Sequence, residues 1–198
     1  MPPQVQAIVL AAGSSSRMGR TKQLLPVNGR PAVRACAETV LAAGADDIIV
    51  VVAPDGGAVE AALEGLPVRI VRNADPGSDM AGSVRTGLAA APPVRPFILV
   101  CLADHPLVRP DTIRTILSGS ALHPGRIVIP RYQGRRGHPT LFPRRIIDEA
   151  FSGKTLRDII RDHGDGVHYL DVGDEGVVLD MDTEQDYREL LRRSGAAT

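Results

Sequence analysis

A run of small residues, Gly13–Ser14–Ser15–Ser16, is followed by Arg17 and then Lys22. These types suit a polyphosphate. Glycine lets the backbone approach an anion closely, and serine hydroxyls donate to phosphate oxygens. Arg17 offers a planar fork of donors and Lys22 a mobile point charge. Further on, Leu102–Ala103–Asp104–His105–Pro106 sets a carboxylate just past an apolar run. There it can hold Mg²⁺, a hard cation that takes oxygen ligands, against phosphate oxygens. His105 stands where it can touch a substrate. Two late carboxylates, Asp180 and Asp182, share a face if the segment is extended, and either can complete the cation site. The alternative is that Asp182 or Thr183 caps the last helix. Arg135, Arg136, Gly137 and His138 form a basic, turn-rich group suited to an anionic acceptor. Asn73 can read a base edge through its amide. Ser83, at a helix start, can meet a base or a phosphate.

The elements that must position these groups alternate between strand and helix patterns. Val5 to Leu10 reads as a buried strand that opens into the Gly13 loop. Val33, Ala37, Val40 and Leu41 recur at helical spacing within Pro31 to Ala43, and Gly44 ends that helix. Ile48 to Ala53 is continuously apolar, the mark of a strand covered on both faces. Gly57 to Leu63 reads as helix, Val68 to Val71 as strand, Ala81 to Ala91 as helix and Phe97 to Leu102 as strand. Asp111 to Leu117 is a further helix and Arg126 to Ile129 a further strand. Such alternation predicts an α/β domain with a mainly parallel, Rossmann-like sheet layered between helices. These folds bind ligands outside the carboxyl ends of their strands. The Gly13 loop and Asp104 both fall at such ends.

Beyond residue 130 the texture changes. Arg131 to Pro139 reads as a basic, turn-rich stretch, Thr140 to Phe142 as a short strand, Pro143 to Phe151 and Thr155 to Arg161 as helices, and Val167 to Leu170 and Val177 to Leu179 as short strands. Thr183 to Leu191 reads as a closing helix, with Thr183 as its cap and Asp186 three positions on. We read 1–198 as one domain, with 5–130 as a nucleotide-binding core and 131–192 as an acceptor-side region that covers an edge or side of the sheet.

Composition narrows the classes. Lys plus Arg and Asp plus Glu both number 23, so no basic excess points to nucleic acid. Trp is absent and only three Tyr and three Phe occur, which disfavours a base-stacking surface. The two cysteines, Cys36 and Cys101, sit in apolar patterns and read as small buried hydrophobes. No signal-like or membrane-spanning run is visible, so the expectation is a cytoplasmic enzyme. A dinucleotide-binding GxGxxG is missing, which argues against a redox Rossmann enzyme.

Leu10–Ala11–Ala12–Gly13–Ser14–Ser15–Ser16–Arg17–Met18–Gly19, with Lys22 and Leu24–Leu25–Pro26, resembles the signature of the MobA-like nucleotidyltransferases. The likeness extends from Val5 to about Leu190 and implies the fold of the nucleotide-diphospho-sugar transferases. Within that family the chain is most similar to the branch that moves CMP from CTP to the terminal phosphate of molybdopterin. The LAAG loop, the run Arg136–Gly137–His138–Pro139–Thr140–Leu141–Phe142 and Asp180–Met181–Asp182–Thr183 carry that likeness. The resemblance implies that Leu10, Ala11, Ala12, Gly13, Ser14, Arg17 and Lys22 hold the triphosphate and that Asp104 binds Mg²⁺, with Asp180 or Asp182 in support. Arg17, Lys22 and Asp104 would carry catalysis. Asn73 and Ser83 would lie on the nucleotide side, and His105, Arg136, Gly137 and His138 near the acceptor. CTP, the molybdopterin cofactor and a molybdoenzyme or maturation chaperone are the implied partners. Guanylyl transfer, cytidylyl transfer to a sugar or polyol phosphate, and a non-catalytic maturation role stay open.

Overall fold

The computed structural model describes residues 5–13, 18–45 and 47–195. Among the described residues ten strands run in chain order as β1 (Val5–Ala11), β2 (Pro26–Val27), β3 (Arg30–Pro31), β4 (Ile48–Val52), β5 (Arg69–Arg72), β6 (Phe97–Leu102), β7 (Ile127–Tyr132), β8 (Arg135–Arg136), β9 (Thr140–Pro143) and β10 (Val167–Asp171). Seven α-helices accompany them: α1 (Ala32–Ala42), α2 (Gly57–Ala62), α3 (Met80–Ala90), α4 (Pro110–Leu122), α5 (Arg144–Ile147), α6 (Leu156–Asp162) and α7 (Glu184–Arg193).

The main sheet has the order β10-β7-β9-β6-β1-β4-β5, and β8 pairs with β7. Of the strands on that path β9 alone runs against its neighbours, pairing antiparallel with both β6 and β7. The parallel half grows outward from β1 through β4 to β5, then returns to place β6 on the other side of β1. The carboxyl ends of β1 and β6 therefore flank a topological switch point, where an open α/β sheet leaves a crevice. The backbone N–H of Ala103 donates to Leu10 O at 3.1 Å and ties those two ends together.

Alternation along β1 divides the core. Ala7, Val9 and Ala11 face one layer with Val33, Ala37 and Val40 of α1 and Ile113 and Ile116 of α4. Ile8 and Leu10 face the other, with Val84 and Leu88 of α3 and Ile146 and Ile159 beyond. This is a three-layer α/β/α arrangement. Helix α3 lies so close to the sheet that a Cβ on Gly87 would fall 2.6 Å from Ile8 Cγ2.

The region after residue 130 covers an edge of the sheet by extending it, since β9 pairs with the side of β6 that β1 leaves open. The expected basic turn is a β7–β8 hairpin closed by Gln133 (φ 47°) and Gly134 (φ 80°), the left-handed pair that a tight primed turn requires. Val177 to Leu179, expected as strand, is instead part of a 3₁₀ turn over Glu175–Val178. Its buried Asp174 accepts from Gly176 N at 3.0 Å, Arg109 N at 2.8 Å and Thr112 Oγ1 at 2.6 Å, which folds the segment back onto the start of α4. Helix α4 runs to Leu122, past the expected Leu117, because Gly119 and Ser120 are buried against the sheet.

A third, smaller cluster holds α7 down. Met181, Tyr187 and Leu190 pack on Leu25, Val27 and Ala32, and Tyr187 OH donates to Pro26 O at 2.7 Å. The β2–β3 ribbon beneath closes through Asn28 (φ 50°) and Gly29 (φ 76°). Thr183 caps α7 as expected. Its Oγ1 accepts from Asp186 N at 3.2 Å, while Asp186 Oδ2 accepts from Thr183 N at 2.8 Å. Thr183→Ala is expected to cost about 1 kcal/mol. That corresponds to a fall of roughly 2–4 °C in Tm, readable by thermal denaturation. An unchanged Tm would show that packing alone sets the start of α7.

Candidate active site

Lys22 opens a 3₁₀ turn, Lys22–Leu24, between the Gly13 loop and the β2–β3 ribbon. Its Nζ donates to Asp104 Oδ2 at 2.5 Å and to Asp182 Oδ1 at 2.7 Å. Three distant stretches of chain thus meet at one ammonium. Asp104 arrives on the turn after β6, where His105 N donates to Leu102 O. Asp182 arrives because the third apolar cluster docks Met181 and α7 onto the ribbon. Asp180 lies exposed on the rim nearby, and it is Asp182 whose carboxylate reaches Lys22.

Burial would raise the Asp104 carboxyl, but the hydrogen bond and charge of His105 and the ammonium of Lys22 outweigh it and hold the group well below the usual carboxylate range. Burial likewise works against charge on Lys22, and the two carboxylates outweigh it, so the ammonium persists above its ordinary range. The site is a charged cluster at neutral pH. Two carboxylate oxygens sharing one ammonium lie within about 5 Å of each other, with only oxygen donors, which suits a hard cation completing its shell with water and phosphate. Among the described residues no group of three or more His, Cys, Asp or Glu forms a closed metal cage.

Three adjoining cavities run along the carboxyl edge of the sheet. The central one, about 570 Å³, is lined by Leu10, Ala12, Gly13, Lys22, Ser83 and Asp104 among others. It shares Ala12, Gly13 and Gln23 with a second of about 410 Å³, which Ala11 and Asn73 also line. On the other side it shares Asp104, Asp182 and Met80 with a third of about 310 Å³, lined by Arg135, Arg136, Gly137 and His138. The structure therefore brings Leu10, Ala11, Ala12, Gly13, Lys22, Asn73, Ser83 and Asp104 to one cleft, and His105, Arg136, Gly137, His138 and Asp180 to its far end. Ser14 and Arg17 lie outside the described residues.

Some of these groups also make contacts within the protein. Asn73 and Ser83 are buried, and Asn73 Nδ2 donates to Ser83 Oγ at 3.2 Å while Asn73 Oδ1 accepts from Asp75 N. They brace the loop between β5 and α3 from within. Gly137 makes a close backbone approach: its N–H donates to Pro130 O, and a Cβ there would lie 2.2 Å from Val177 O. Gln23 was not singled out in the sequence. It is buried and its Nε2 donates to Gly13 O at 2.9 Å, holding the loop after β1. Its signal was a polar side chain inside the Lys22–Leu25 motif. Cys36 and Cys101 are buried free thiols, each pushed up by burial, Cys101 to about 12, so neither is a thiolate at neutral pH.

His138 is held neutral. Burial first, then the neighbouring His105, pushes it from 6.5 down to about 4. Its Nδ1 has no hydrogen-bond partner among the described residues. The folded value lies below the unfolded one, so the unfolded chain takes the proton first. Stability then falls as pH drops from 6.5 toward 4, by at most about 3 kcal/mol. His138→Gln should flatten that acid slope in a Tm-against-pH series. Equal slopes for both proteins in this window would show an ordinary imidazole.

A family model described as MobA-like NTP transferase domain matches residues 7–167. The chain belongs to the MobA-like NTP transferase family. Among curated proteins it is similar to nicotine blue oxidoreductase of Paenarthrobacter nicotinovorans, 36% identical over 201 residues, 95% of this chain and 97% of that one. It is also similar to the 2-C-methyl-D-erythritol 4-phosphate cytidylyltransferase of Nocardia farcinica, 40% identical over 129 residues, 64% of this chain and 55% of that protein. Rv0371c of Mycobacterium tuberculosis H37Rv is similar in structure, with a TM-score of 0.82, 34% identity and coverage of 97% and 100%. The same protein solved in complex with manganese matches with a TM-score of 0.75 and 33% identity, covering 96% of this chain and 98% of that one. The sheet order and layers described above are those of the nucleotidyltransferase fold. Among the described residues no helix is long and apolar enough to cross a membrane.

Proposed function

We propose that this chain is a nucleotidyltransferase that moves CMP from CTP to the terminal phosphate of molybdopterin and releases pyrophosphate. The observation that carries the reading is Lys22 held between Asp104 and Asp182 at the switch point of the sheet, with a cleft on either side. The triphosphate would lie along Leu10–Gly13 and Lys22, with Ser14 and Arg17 as further donors. The base would extend toward the Asn73 side. The acceptor would enter past Arg135 and Arg136, whose exposed guanidinium groups attract an anion.

An oxygen of the acceptor phosphate attacks the α-phosphorus. A new P–O bond forms and the bond to the bridging α–β oxygen breaks, so the electron pair leaves with pyrophosphate. Lys22 stabilises charge growing on the transferring and leaving phosphates, a task of position and electrostatics. An acceptor phosphate is ionised near neutral pH, so neither His105 nor the neutral His138 is required as a base. Mg²⁺ held by Asp104, with Asp182 or Asp180 in support, would supply charge neutralisation on the phosphate oxygens. The manganese complex of Rv0371c supports a divalent cation, and the cytidylyltransferase relative supports CTP.

Likeness to nicotine blue oxidoreductase favours a second reading, in which the same cleft serves a reduction. Pyrophosphate release decides between them. Purified protein is assayed with Mg²⁺ and each of CTP, GTP, ATP and UTP, with and without molybdopterin. Release with CTP only when molybdopterin is present is the expected result. Release with another nucleotide would correct the base. No release with any of them, together with redox turnover of nicotine blue, would replace the reading.

A further inference from the structure

Asp104 uses its two oxygens differently. Oδ2 accepts from Lys22, while Oδ1 accepts from His105 Nδ1 at 2.9 Å, and the residue lines the central cavity. A carboxylate can only accept, so Nδ1 is the protonated nitrogen of that ring. The His105 side chain is 9% exposed. Its other flank meets the His138 ring edge-on, with centroids 5.3 Å apart and planes at 68°. His138 is in turn fixed by its backbone, whose N–H donates to Val177 O at 2.8 Å. Both rings also line a small pocket bordered by Cys36, Val40 and Ile113. His105 is therefore held between Asp104 and the half-buried ring of His138.

We propose that His105 is a positioning residue: its Nδ1–H holds Asp104 Oδ1 so that Oδ2 stays turned toward the cavity where phosphate and cation would bind. The proposal rests on the reading of Asp104 as a cation ligand. Without the imidazole, the carboxylate would be free to turn. Lys22 could then take both oxygens and compete with a cation for them. A group that orients a ligating carboxylate acts on cation affinity and on turnover, with little effect on nucleotide binding away from the metal. Outer partners of this kind change metal affinity or activity by about 10–100-fold when removed.

The test uses full-length His105→Ala, His105→Asn and His105→Phe, each checked for an intact melting transition. Mn²⁺ alone is titrated and followed by electron paramagnetic resonance. Pyrophosphate release is measured beside it, with kcat and KM for the nucleotide separated. His105→Ala is expected to weaken Mn²⁺ binding and lower kcat by about 10–100-fold with KM for the nucleotide nearly unchanged. His105→Asn, whose amide can donate from near the Nδ1 position, should recover a large part of both. His105→Phe, which fills the space without a donor, should not. Mn²⁺ affinity and kcat in His105→Phe equal to wild type would overturn the proposal and leave only packing. Asp104→Ala in the same titration separates the two readings. If it weakens Mn²⁺ binding while the His105 variants do not, the positioning role alone falls. If it leaves Mn²⁺ binding unchanged, Asp104 is no ligand, and both fall.

Discussion

Asp104→Ala is expected to lower the rate of pyrophosphate release on the order of 10³-fold while the protein still folds. The loss of activity follows from position. Asp104 is the carboxylate at the carboxyl end of β6, it faces the central cavity, and it shares the Lys22 ammonium with Asp182. The loss of stability is smaller because Lys22 keeps Asp182 and because the apolar layers of β6 are untouched. We expect about 1–3 kcal/mol, from one charge-assisted bond to Lys22 and one to His105. The sign of its pH dependence is set by the depressed carboxyl. A folded value below the unfolded 3.8 means that Asp104 contributes stability above pH 3.8, which is lost as pH falls through the folded value. The stability gap between wild type and Asp104→Ala should therefore narrow in acid. Full activity with Mg²⁺ in the variant would remove Asp104 from the site.

Gly137→Ala should be among the most destabilising small substitutions in the chain, at about 2–4 kcal/mol. The added Cβ would sit 2.2 Å from Val177 O and 2.7 Å from its carbonyl carbon. Neither is the end of a flexible side chain, so the backbone must move. Any shift strains the bond from His138 N to Val177 O and the bond from Gly137 N to Pro130 O. The first bond joins the end of the β8 hairpin to the segment that leads into Asp180 and Asp182, and the second ties that end back to β7. Thermal denaturation reads the effect, with roughly 2–4 °C expected per kcal/mol. A Tm within a degree of wild type would mean that the hairpin and the Val177 segment separate at no cost.

The nucleotide half was legible in the sequence because its signals are local. A buried strand reads as an unbroken apolar run, and the ends of β1 and β6 are marked by the residues that follow them, Gly13 and Asp104. Phe97 to Leu102 matches β6 residue for residue. The Val27–Asn28–Gly29–Arg30 ribbon also carried a local hairpin signal, since Asn-Gly tolerates two left-handed residues, but so short a pair contributes little apolar pattern. The chain after residue 130 was harder. Strand β9 has four residues and its place between β6 and β7 depends on partners far away in sequence. Val177 to Leu179 carries a strand-like apolar pattern, yet the buried Asp174 turns it into a 3₁₀ segment. Tertiary hydrogen bonds there outweigh local preference.

The sequence by itself determined the family, the alternating α/β order, the phosphate-suited loop and the capping of α7 by Thr183. Each depends on residue types at short spacing, so chain neighbours suffice to state it. Tertiary structure alone decided that Asp182 rather than Asp180 reaches Lys22, and that Asn73 bonds Ser83. It also decided that His105 turns its Nδ1 onto Asp104, and that Gly137 is held by the Val177 carbonyl. These contacts join residues brought together by the order of the sheet and by the docking of α7 on the β2–β3 ribbon. Their geometry follows from packing the whole chain at once, because a side chain's partner is set by which backbone lies within a few ångströms of it.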